Sequence, residues 1–424
     1  MYTISMPFPP LSQPEPLQSI TAQQAEEAAS RFSTPTYTYN EAMLTSRAQE
    51  ALDFQAPYGL TVRYAMKANP NPQILQLFNQ LGLHIDASSG YEARHALSLG
   101  IPAEHIMITS QQIPDDLREL VGQGVLYNAT SLHQLETYGR LFPHTDISVR
   151  INPGIGSGHS KKANTGGPSS SFGIWHEYIG QIKELAQINS LNISKIHTHI
   201  GAGTDPKVWH EAARLTLEMA EHFPTVSIIN LGGGFKVART SAEHGTDLPQ
   251  ISGVISRLFQ DFAAQTGRRL HIEIEPGTFL VANAGAIVSR VIDITDTGAQ
   301  GNTFLKLDTG LTEIMRPSLY GAQHAIVVVN DRPRRTQNYV VVGHTCESGD
   351  LLTPEPGQPD TPSSRPLQSA AIGDLVVIEG TGAYCASLSA TGYNSFPPAA
   401  EVMITGEGDL SDAAGHLTAT AGDL

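Results

Sequence analysis

The sequence has few of the features that mark secreted or membrane proteins. Its 424 residues include only two cysteines, Cys346 and Cys385, which are too few for a disulfide framework and favour a reducing compartment. The stretch from Met1 to Pro16 lacks the basic start and apolar run of a secretion signal. Since no apolar run of about 20 residues occurs elsewhere, the sequence predicts a cytoplasmic protein without a membrane span.

Basic residues are also scarce. Lys and Arg together number 26 against 41 Asp and Glu, so the formal net charge is −15. This excess of negative charge disfavours nucleic acid or anionic lipid as the main partner, and a small molecule is expected instead. The chain is long, with 40% hydrophobic residues, and exceeds what one core usually supports, so two domains are expected.

The first part of the chain alternates short apolar runs with longer amphipathic stretches, which is typical of repeated βα units. About eight such units favour a closed TIM (β/α)8 barrel over an open sheet, and we assign residues 42–288 to it. Strand-like runs recur near Tyr64, Ile85, Ile106, Leu126, Ile147, Ile196, Ile228 and Ile272.

After Val288 the residue pattern changes. It consists of runs rich in β-branched residues, such as AIVVVN, YVVVG and DLVVIEG, which are interrupted by Gly, Pro and Asp. This pattern predicts a C-terminal β domain, a sandwich or barrel, which we assign to residues 289–424 together with 1–41. The Pro-rich segment from Pro354 to Pro366 is expected to be a surface loop between two of its strands.

Lys67 is the first candidate catalytic residue. It follows an apolar strand in YAMKANPNP and therefore projects from the carboxyl end of a barrel strand, where barrel enzymes place catalytic side chains. A lysine there could hold an aldehyde cofactor as a Schiff base. Most lysines are solvated surface charges, so position alone leaves both interpretations open.

Two further strand ends carry candidate groups. The glycine cluster Leu231–Phe235 could close around a phosphate with backbone N–H groups, or simply form a tight turn. Glu275 ends another strand before a Pro-Gly turn, and a buried carboxylate there needs a partner. That partner is either a protonated pyridine nitrogen or a structural Arg or Lys.

His197 and His199 alternate along IHTHIGAG, so their side chains point the same way in a strand. They could contribute to a metal site, but no third ligand stands at a convincing spacing, and no metal is predicted. His199 could instead pack on a cofactor ring, and His197 could be a satisfied core histidine.

Cys346, Glu347 and Asp350 lie in a Gly-bounded loop, GHTCESGDLL, after a predicted strand. A thiol and a carboxylate on such a loop suit proton donation and recognition of a substrate ammonium group. Burial of Cys346 as a small apolar residue is the alternative.

Taken together, the motifs resemble one enzyme family. YAMKAN, DASSGYE, HIGAGTDP, LGGGF, EPGT, MRPSLY, CESGD and GAY…YN occur between Tyr64 and Val402 in the order seen in the fold-type III decarboxylases of the alanine racemase and ornithine decarboxylase superfamily. The residues of CESGD and MRPSLY are most similar to those of the diaminopimelate decarboxylase family. A series of so many motifs in the same order is far less expected by chance than a single motif.

The resemblance implies pyridoxal 5'-phosphate as cofactor and assigns roles to individual residues. Lys67, Cys346 and His199 would be catalytic, with Cys346 as the acid and His199 stacked on the cofactor ring. Glu92 would belong to the polar network around Lys67. The cofactor would contact Lys67, Asp86, Arg150, His199, Gly234, Glu275, Pro276, Gly277, Thr278 and Tyr384. The substrate would contact Arg316, Tyr320, Glu347, Tyr384 and Tyr393.

The resemblance further implies a homodimer, because in these families the loop that carries Cys346 reaches into the partner's site. The expected reaction converts meso-diaminopimelate to L-lysine and CO2, a step of lysine biosynthesis. A decarboxylase of another diamino acid, such as ornithine or lysine, or of a siderophore precursor is the main alternative. An amino-acid racemase is a weaker one, because it needs bases on both ring faces and Cys346 argues against it.

Two departures from the family pattern bear on the substrate. The usual EPGR is EPGT here, so Thr278 replaces an arginine, and a hydroxyl supplies neither its charge nor its bidentate fork. The usual lysine of KFGI is absent from SSSFGI, Ser169 to Ile174. Lys161 and Lys162 in the preceding insert could return positive charge, although a solvated loop is the simpler role.

Overall fold

A ring of eight parallel strands forms the centre of the fold. The computed structural model describes residues 13–155, 166–199, 201, 203–330 and 334–413. Before the ring come α1 (Ala22–Phe32), β1 (Thr36–Asn40) and α2 (Glu41–Leu52). The ring and one short strand beside it are β2 (Leu60–Ala65), β3 (His84–Ala87), β4 (Ile106–Ile108), β5 (Leu126–Ala129), β6 (Asp146–Asn152), β7 (Ile174–Trp175), β8 (Asn192–His197), β9 (Ile228–Asn230) and β10 (His271–Ile274).

Hydrogen bonding closes this sheet into a barrel. The strands follow the order β5-β4-β3-β2-β10-β9-β8-β6, and β5 also pairs with β6, while β7 adds to the end of β6. Every pairing in the ring is parallel. Each of the eight predicted strand positions lies in one of the eight ring strands, so the predicted (β/α)8 barrel is confirmed.

Helices cover the outside of the barrel. They are α2 with α3 (Pro72–Gln80), α4 (Gly90–Ser98), α5 (Leu117–Gly122), α6 (Leu132–Leu141), α7 (Ile179–Ile188), α8 (Pro206–Glu221) and α9 (Leu248–Thr266). Several begin at a side chain that accepts a hydrogen bond from the first turn, including Asn71, Ser89 and Asp247. Such caps satisfy backbone donors that have no partner within the helix. In the part of the chain that the structure describes, no helix has both the length and the apolarity that a bilayer crossing requires.

A second, mainly antiparallel sheet contains β1 and the strands that follow the barrel. After α10 (Thr278–Val281) come β11 (Gly285–Asp296), β12 (Thr303–Leu307), α11 (Arg316–Tyr320), β13 (Ile326–Val328), β14 (Thr336–Val342), β15 (Pro354–Glu355), β16 (Gln358–Pro362), β17 (Arg365–Gln368), β18 (Leu375–Glu379), β19 (Ala400–Ile404) and β20 (Leu410–Asp412). The main path is β17-β14-β12-β11-β1-β19-β20, and β18 pairs with both β11 and β13.

The N-terminal segment is part of this second sheet. β1 pairs antiparallel with β11 and parallel with β19, and so joins strands from distant parts of the chain. Helix α1 packs on the same sheet through Ala25 and Ala28, which are fully buried beside Val288, Val377 and Val402. The predicted second β domain is confirmed as a curled sheet.

The segment from Pro354 to Pro366 differs from its predicted form. It is not an irregular loop, because β15 and β16 pair as a short hairpin and β17 begins at Arg365. Gly357 supplies the positive φ of 73° at the turn. Prolines fit here because β15 and β16 form a two-stranded sheet of their own, where a missing backbone N–H is tolerated at the edge.

The barrel interior contains a buried ion triad. Glu273 of β10 lies 2.7 Å from the Lys195 ammonium group and 3.1 Å from an Arg63 guanidinium nitrogen. Burial alone would raise the pKa of Glu273, but Arg63 and Lys195 outweigh it and hold the pKa at about 2. The three side chains are at most 6% exposed, so the two cations depend on this one carboxylate.

Replacing Glu273 with glutamine should therefore destabilise the protein. The variant Glu273→Gln keeps the size of the side chain but leaves two cations buried without a counter-charge, which costs about 3–5 kcal/mol when a buried pair is broken. Chemical denaturation of the holoenzyme, followed by circular dichroism, should show the unfolding midpoint at a clearly lower denaturant concentration.

The matched control is Glu211→Gln, because Glu211 pairs with Arg214 at the surface and its side chain is 45% exposed. Such pairs contribute about 0–1 kcal/mol, so this midpoint should hardly move. The pKa of Glu273 is lowered from 4.5, so its stabilisation is complete above that pH and is lost as the pH falls toward 2. Equal midpoints for both variants would contradict a stabilising role for the triad.

Candidate active site

Polar side chains from several barrel strands meet at the carboxyl end of the ring. Strand direction places these residues there, because each stands at or just beyond the end of its strand. They are Lys67 after β2, Asp86 in β3, Arg150 in β6, His199 after β8 and Glu275 after β10. These five residues are close enough to shift one another's pKa values. The structure therefore brings these five predicted residues together.

Lys67 lies in a single 3-10 turn, Met66–Ala68, between β2 and α3. Its neighbours Met66 and Ala68 are buried, whereas the Lys67 side chain is accessible from the barrel mouth. The low-polarity surroundings lower the pKa of Lys67, but Tyr384 and Asp86 outweigh them and the net pKa is raised. The amine is therefore protonated at neutral pH in the chain alone.

Two polar atoms beside Lys67 are buried without a hydrogen-bond partner in the part of the chain that the structure describes. They are Oδ1 of Asp86 and Nη2 of Arg150. Burial and the nearby Glu275 raise the pKa of Asp86 to about 8, so this carboxyl group is protonated at neutral pH. Unpartnered buried polar atoms are costly, so they indicate that a polar ligand is missing here.

A hydrogen-bond network fixes Glu275. Asn230 donates to Oε1 at 2.6 Å, and Nε2 of His197 lies 3.2 Å from Oε2, off the line of a well-aligned hydrogen bond. Burial alone would raise the pKa of Glu275, but His197, His199 and Lys67 outweigh it and the pKa falls below its usual range. Glu275 is therefore a carboxylate whose position is fixed.

The far side of His197 is also held. Its Nδ1 lies 2.6 Å from Nδ2 of Asn128, whose Oδ1 accepts a hydrogen bond from Ser148. Burial lowers the pKa of His197 despite Glu275, so the ring is neutral. With Nδ1 accepting from Asn128, Nε2 carries the hydrogen that faces Glu275.

Asn128, Asn230 and Ser148 are not among the predicted site residues, and for His197 only a metal site or a core position was considered. These four residues lie on four different strands, and only the closed ring brings them together. Asn128 and Asn230 are polar residues in short, otherwise apolar strands, whereas the strands of Ser148 and His197 contain several polar residues and offer no such signal. Among the described residues no group of three or more metal-ligating side chains occurs.

The glycine cluster after β9 makes a close approach that other residues would block. A Cβ at Gly233 would overlap the carbonyl oxygen of Glu275, and one at Gly232 would lie 2.6 Å from Nδ1 of His199. The N–H of Gly233 donates to that same Nδ1 at 3.2 Å. Burial, then Arg150 and Lys67, lowers the pKa of His199 far below its usual value, so its ring is neutral.

The EPGT turn packs against the turn that carries Lys67. The carbonyl oxygen of Pro276 accepts the N–H of Ala65, and a Cβ at Gly277 would lie 3.2 Å from the Cβ of Ala68. Thr278 then begins α10. The two turns are therefore held in contact by backbone groups.

The second sheet contributes Tyr384 to the same region. Its φ is 56°, a left-handed conformation that is costly for a side-chain-bearing residue and that clusters at functional sites. Its N–H donates to the carbonyl oxygen of Ala68 at 2.8 Å, and Ser387 Oγ donates to the same oxygen at 3.1 Å. Asn69 donates to Gly382 at 3.1 Å, so three bonds join this segment to the Lys67 turn.

The other predicted residues lie in two places. Arg316 and Tyr320 are half-buried in α11, and Arg316 influences the thiol of Cys385, next to Tyr384. Cys346 and Glu347 are exposed on the loop after β14, and Tyr393 is 39% exposed on a second loop.

Hydrogen bonds hold the Cys346 loop within the second sheet. Its backbone N–H at Cys346 bonds Asn394 at 2.8 Å, and the carboxylate of Asp350 accepts from Leu311 and Thr345. Glu92 caps the start of α4 by accepting from Ser88 at 2.6 Å, and Lys161 and Lys162 lie outside the described residues.

These features fit pyridoxal 5'-phosphate. Lys67 offers an amine and Glu275 a fixed carboxylate. Asp86 and Arg150 offer polar atoms that have no partner within the described ranges. Gly234, with φ of 106°, and the neighbouring glycines leave room for backbone to approach a phosphate.

The comparisons with known proteins agree with this geometry. Residues 43–282 match the family described as "Pyridoxal-dependent decarboxylase, pyridoxal binding domain". A diaminopimelate decarboxylase of Streptomyces coelicolor is 34% identical over 389 residues, 89% of this chain and 86% of the relative.

Solved structures show the same likeness. A crystal structure of a diaminopimelate decarboxylase superposes with a TM-score of 0.86 at 30% identity and covers 93% of each chain. A diaminopimelate decarboxylase of Helicobacter pylori, complexed with L-lysine, gives 0.81 at 26% identity and covers 92% of this chain and 95% of that one. The chain therefore belongs to the pyridoxal-dependent decarboxylases, enzymes whose cofactor is pyridoxal phosphate.

Proposed function

We propose that this enzyme decarboxylates meso-diaminopimelate to L-lysine. The observation that carries the proposal is the likeness to diaminopimelate decarboxylases over nearly the whole chain, including the residues outside the barrel. The cysteines support a reducing compartment such as the cytoplasm, since Cys346 and Cys385 are both free.

The proposed site residues act around one cofactor. Bound pyridoxal phosphate supplies an electron sink for the electron pair that remains when a carboxylate departs as CO2. Lys67 would hold it through the amine, and His199 would pack on its ring. The backbone of Gly234 and of the turn Glu275–Thr278, together with Tyr384, would receive its phosphate. Asp86 and Arg150 would meet its polar edge.

Glu275 would keep the pyridine nitrogen protonated. Its contacts are the neutral ring of His197 and the amide of Asn230, and among the described residues no Arg or Lys forms an ion pair with it. Because its pKa lies below the usual range, Glu275 is ionised at neutral pH and offers a negative charge to a cationic N–H. His197 is thus proposed as the residue that positions Glu275.

Substrate contacts are proposed for Arg316, Tyr320, Glu347, Tyr384 and Tyr393. Arg316 would bind the carboxylate that stays on the product, and Glu347 would read the distal ammonium group. Thr278 stands where a second cation is usual in the family, which favours the alternative of another diamino acid as substrate.

We further propose a homodimer in which each Cys346 serves the partner's site. The support is that the Cys346 loop is exposed and is joined to the exposed loop of Tyr393 and Asn394 rather than to Lys67. Under this proposal residues 1–41 and 289–424 form the domain that completes the neighbouring site, and residues 42–288 form the cofactor-binding barrel.

The substrate proposal predicts a preference among diamino acids. Purified holoenzyme, incubated separately with diaminopimelate, lysine and ornithine, should release CO2 with the highest kcat/KM for meso-diaminopimelate. The reason is that Arg316, Tyr320 and Glu347 are all present to read its distal end. A higher kcat/KM for lysine or ornithine would overturn the substrate proposal and leave the decarboxylase family intact.

The proposed role of Lys67 predicts where the cofactor is attached. Borohydride reduction of wild-type protein should fix the cofactor to the peptide that contains Lys67, as mass spectrometry would detect, because an amine is required for that bond. Lys67→Ala should lose the modified peptide, and Lys207→Ala, at an exposed surface position, should keep it. A modified peptide elsewhere in Lys67→Ala would refute the assignment.

The proposed role of Cys346 can be tested together with the dimer. Cys346→Ala should slow product formation on the order of 100- to 10,000-fold with cofactor binding unchanged, as expected for loss of a general acid. Mixing inactive Cys346→Ala and Lys67→Ala subunits should restore about a quarter of wild-type activity, because random pairing in symmetric dimers gives one intact shared site in half of them. Failure to complement would place both residues in the same subunit's site.

A further inference from the structure

Three nitrogen atoms near the second sheet are buried without a hydrogen-bond partner among the described residues. They are Nη2 of Arg239, Nε of Arg316 and Nε2 of His324. Arg239 and His324 are only 8% and 5% exposed. Nδ1 of the neutral His324 ring donates to the carbonyl oxygen of Glu379 at 2.9 Å, so its Nε2 is an acceptor, whereas the two guanidinium nitrogens are donors. Donors without an acceptor are unusual in so buried a place, since most such atoms find a partner.

The three side chains lie close enough to act on one another. Burial, followed by the charge of Arg316, lowers the pKa of Arg239 to about 9. Burial also lowers the pKa of His324, followed by Arg239 and Arg316. The buried thiol of Cys385 is influenced by both guanidinium groups, so they flank the residue next to Tyr384.

The position of Arg239 is fixed by a hydrogen bond and by close packing. Its Nε donates to the carbonyl oxygen of Gly380 at 3.0 Å, and a Cβ at Gly380 would lie 2.9 Å from Cγ of Arg239. One residue earlier, the carbonyl oxygen of Ala238 accepts from Asn283, just beyond α10. Arg239 therefore lies between α10, which begins at Thr278, and the end of β18, which leads to Tyr384.

No carboxylate is free to neutralise this cluster among the groups that influence Arg239. Glu243 is the acidic side chain that raises the pKa of Arg239, but it accepts hydrogen bonds from the backbone N–H groups of Arg239 and Thr240. The negative charge of Glu243 is therefore partly balanced by these backbone N–H groups. Two guanidinium groups close enough to lower each other's stability as cations, one of them buried, favour an anion near both.

We propose that Arg239, together with Arg316, binds the carboxylate that the substrate retains after decarboxylation. Arg239 thereby provides the second cation that is missing at Thr278. The inference rests on the proposed function, in which a dicarboxylic amino acid loses one carboxylate and keeps the other. A planar guanidinium fork matches a carboxylate in two parallel hydrogen bonds, which a hydroxyl at position 278 does not.

The cofactor's phosphate is a second possible source of the anion, but the geometry favours the substrate. The glycine loop and the Pro276–Gly277 turn lie at the ends of barrel strands, beside His199 and Lys67. The cluster instead contains Arg316 of α11, which belongs to the segment between strands of the second sheet. The cluster is therefore built on the second sheet as well as on the barrel, whereas the glycine loop and the Pro276–Gly277 turn belong to the barrel alone.

The test compares two ligands that differ by one carboxylate. L-lysine and cadaverine, which is lysine without its carboxylate, are titrated into holoenzyme, and binding is followed by calorimetry and by the change in cofactor absorbance. Arg239→Gln should weaken L-lysine about 10- to 100-fold, the loss expected for one charge-assisted contact, and leave cadaverine unchanged. Arg239→Lys should recover part of the lysine affinity, because it restores charge without the fork.

Two measurements separate this result from a structural effect. Arg214→Gln, at an exposed ion pair of α8, should bind both ligands as the wild type does. Thermal unfolding establishes that Arg239→Gln is folded, and Arg239→Lys replaces it in the comparison if it is not. Equal weakening of lysine and cadaverine, or no weakening of either, overturns the proposal.

The affinity of the apoenzyme for pyridoxal phosphate tests the other source of the anion. A loss of cofactor affinity in Arg239→Gln with lysine binding unchanged would assign the cluster to the phosphate and overturn the proposal. If the wild type does not decarboxylate diaminopimelate but the variant still distinguishes lysine from cadaverine, the proposed function fails and the carboxylate site stands.

Discussion

Two buried carboxylates, Glu273 in β10 and Glu275 just beyond it, determine how the other polar side chains of the barrel interior are arranged. A buried carboxylate must be paired, and the two are paired in different ways. Glu273 is in contact with Arg63 and Lys195, so its charge is cancelled within the barrel. Glu275 is held by Asn230 and a neutral histidine, so its charge is kept in place for a ligand. The first arrangement stabilises the barrel and the second equips it for chemistry.

Much of the architecture could be predicted because it is local in the sequence. Each of the eight ring strands has its own apolar run, and glycine or proline follows several of them at the functional end. Lys67 and Glu275 could be found for the same reason, since a strand end followed by a turn places a side chain at the barrel mouth. The motif order then pointed to the family, which the comparisons confirmed.

The remainder could not be predicted because its partners are far apart in the chain. The contact of His197 with Asn128 spans 69 residues, and that of Asn230 with Glu275 spans 45. The hairpin from Pro354 was missed because prolines indicate a loop unless the strands stand at an edge. Arg239 was not predicted as a site residue because no motif contains it. Only its burial, which the fold shows, makes it unusual.

The bonds between the Lys67 turn and the segment from Gly382 to Ser387 also bear on how the chain matures. They connect residues more than 300 positions apart, as in the contact of Asn69 with Gly382. During synthesis Lys67 emerges long before the segment that supports it, and domains fold as the chain emerges. The contacts around Lys67 are therefore complete only after the segment from Gly382 to Ser387 has been made and has folded against the barrel.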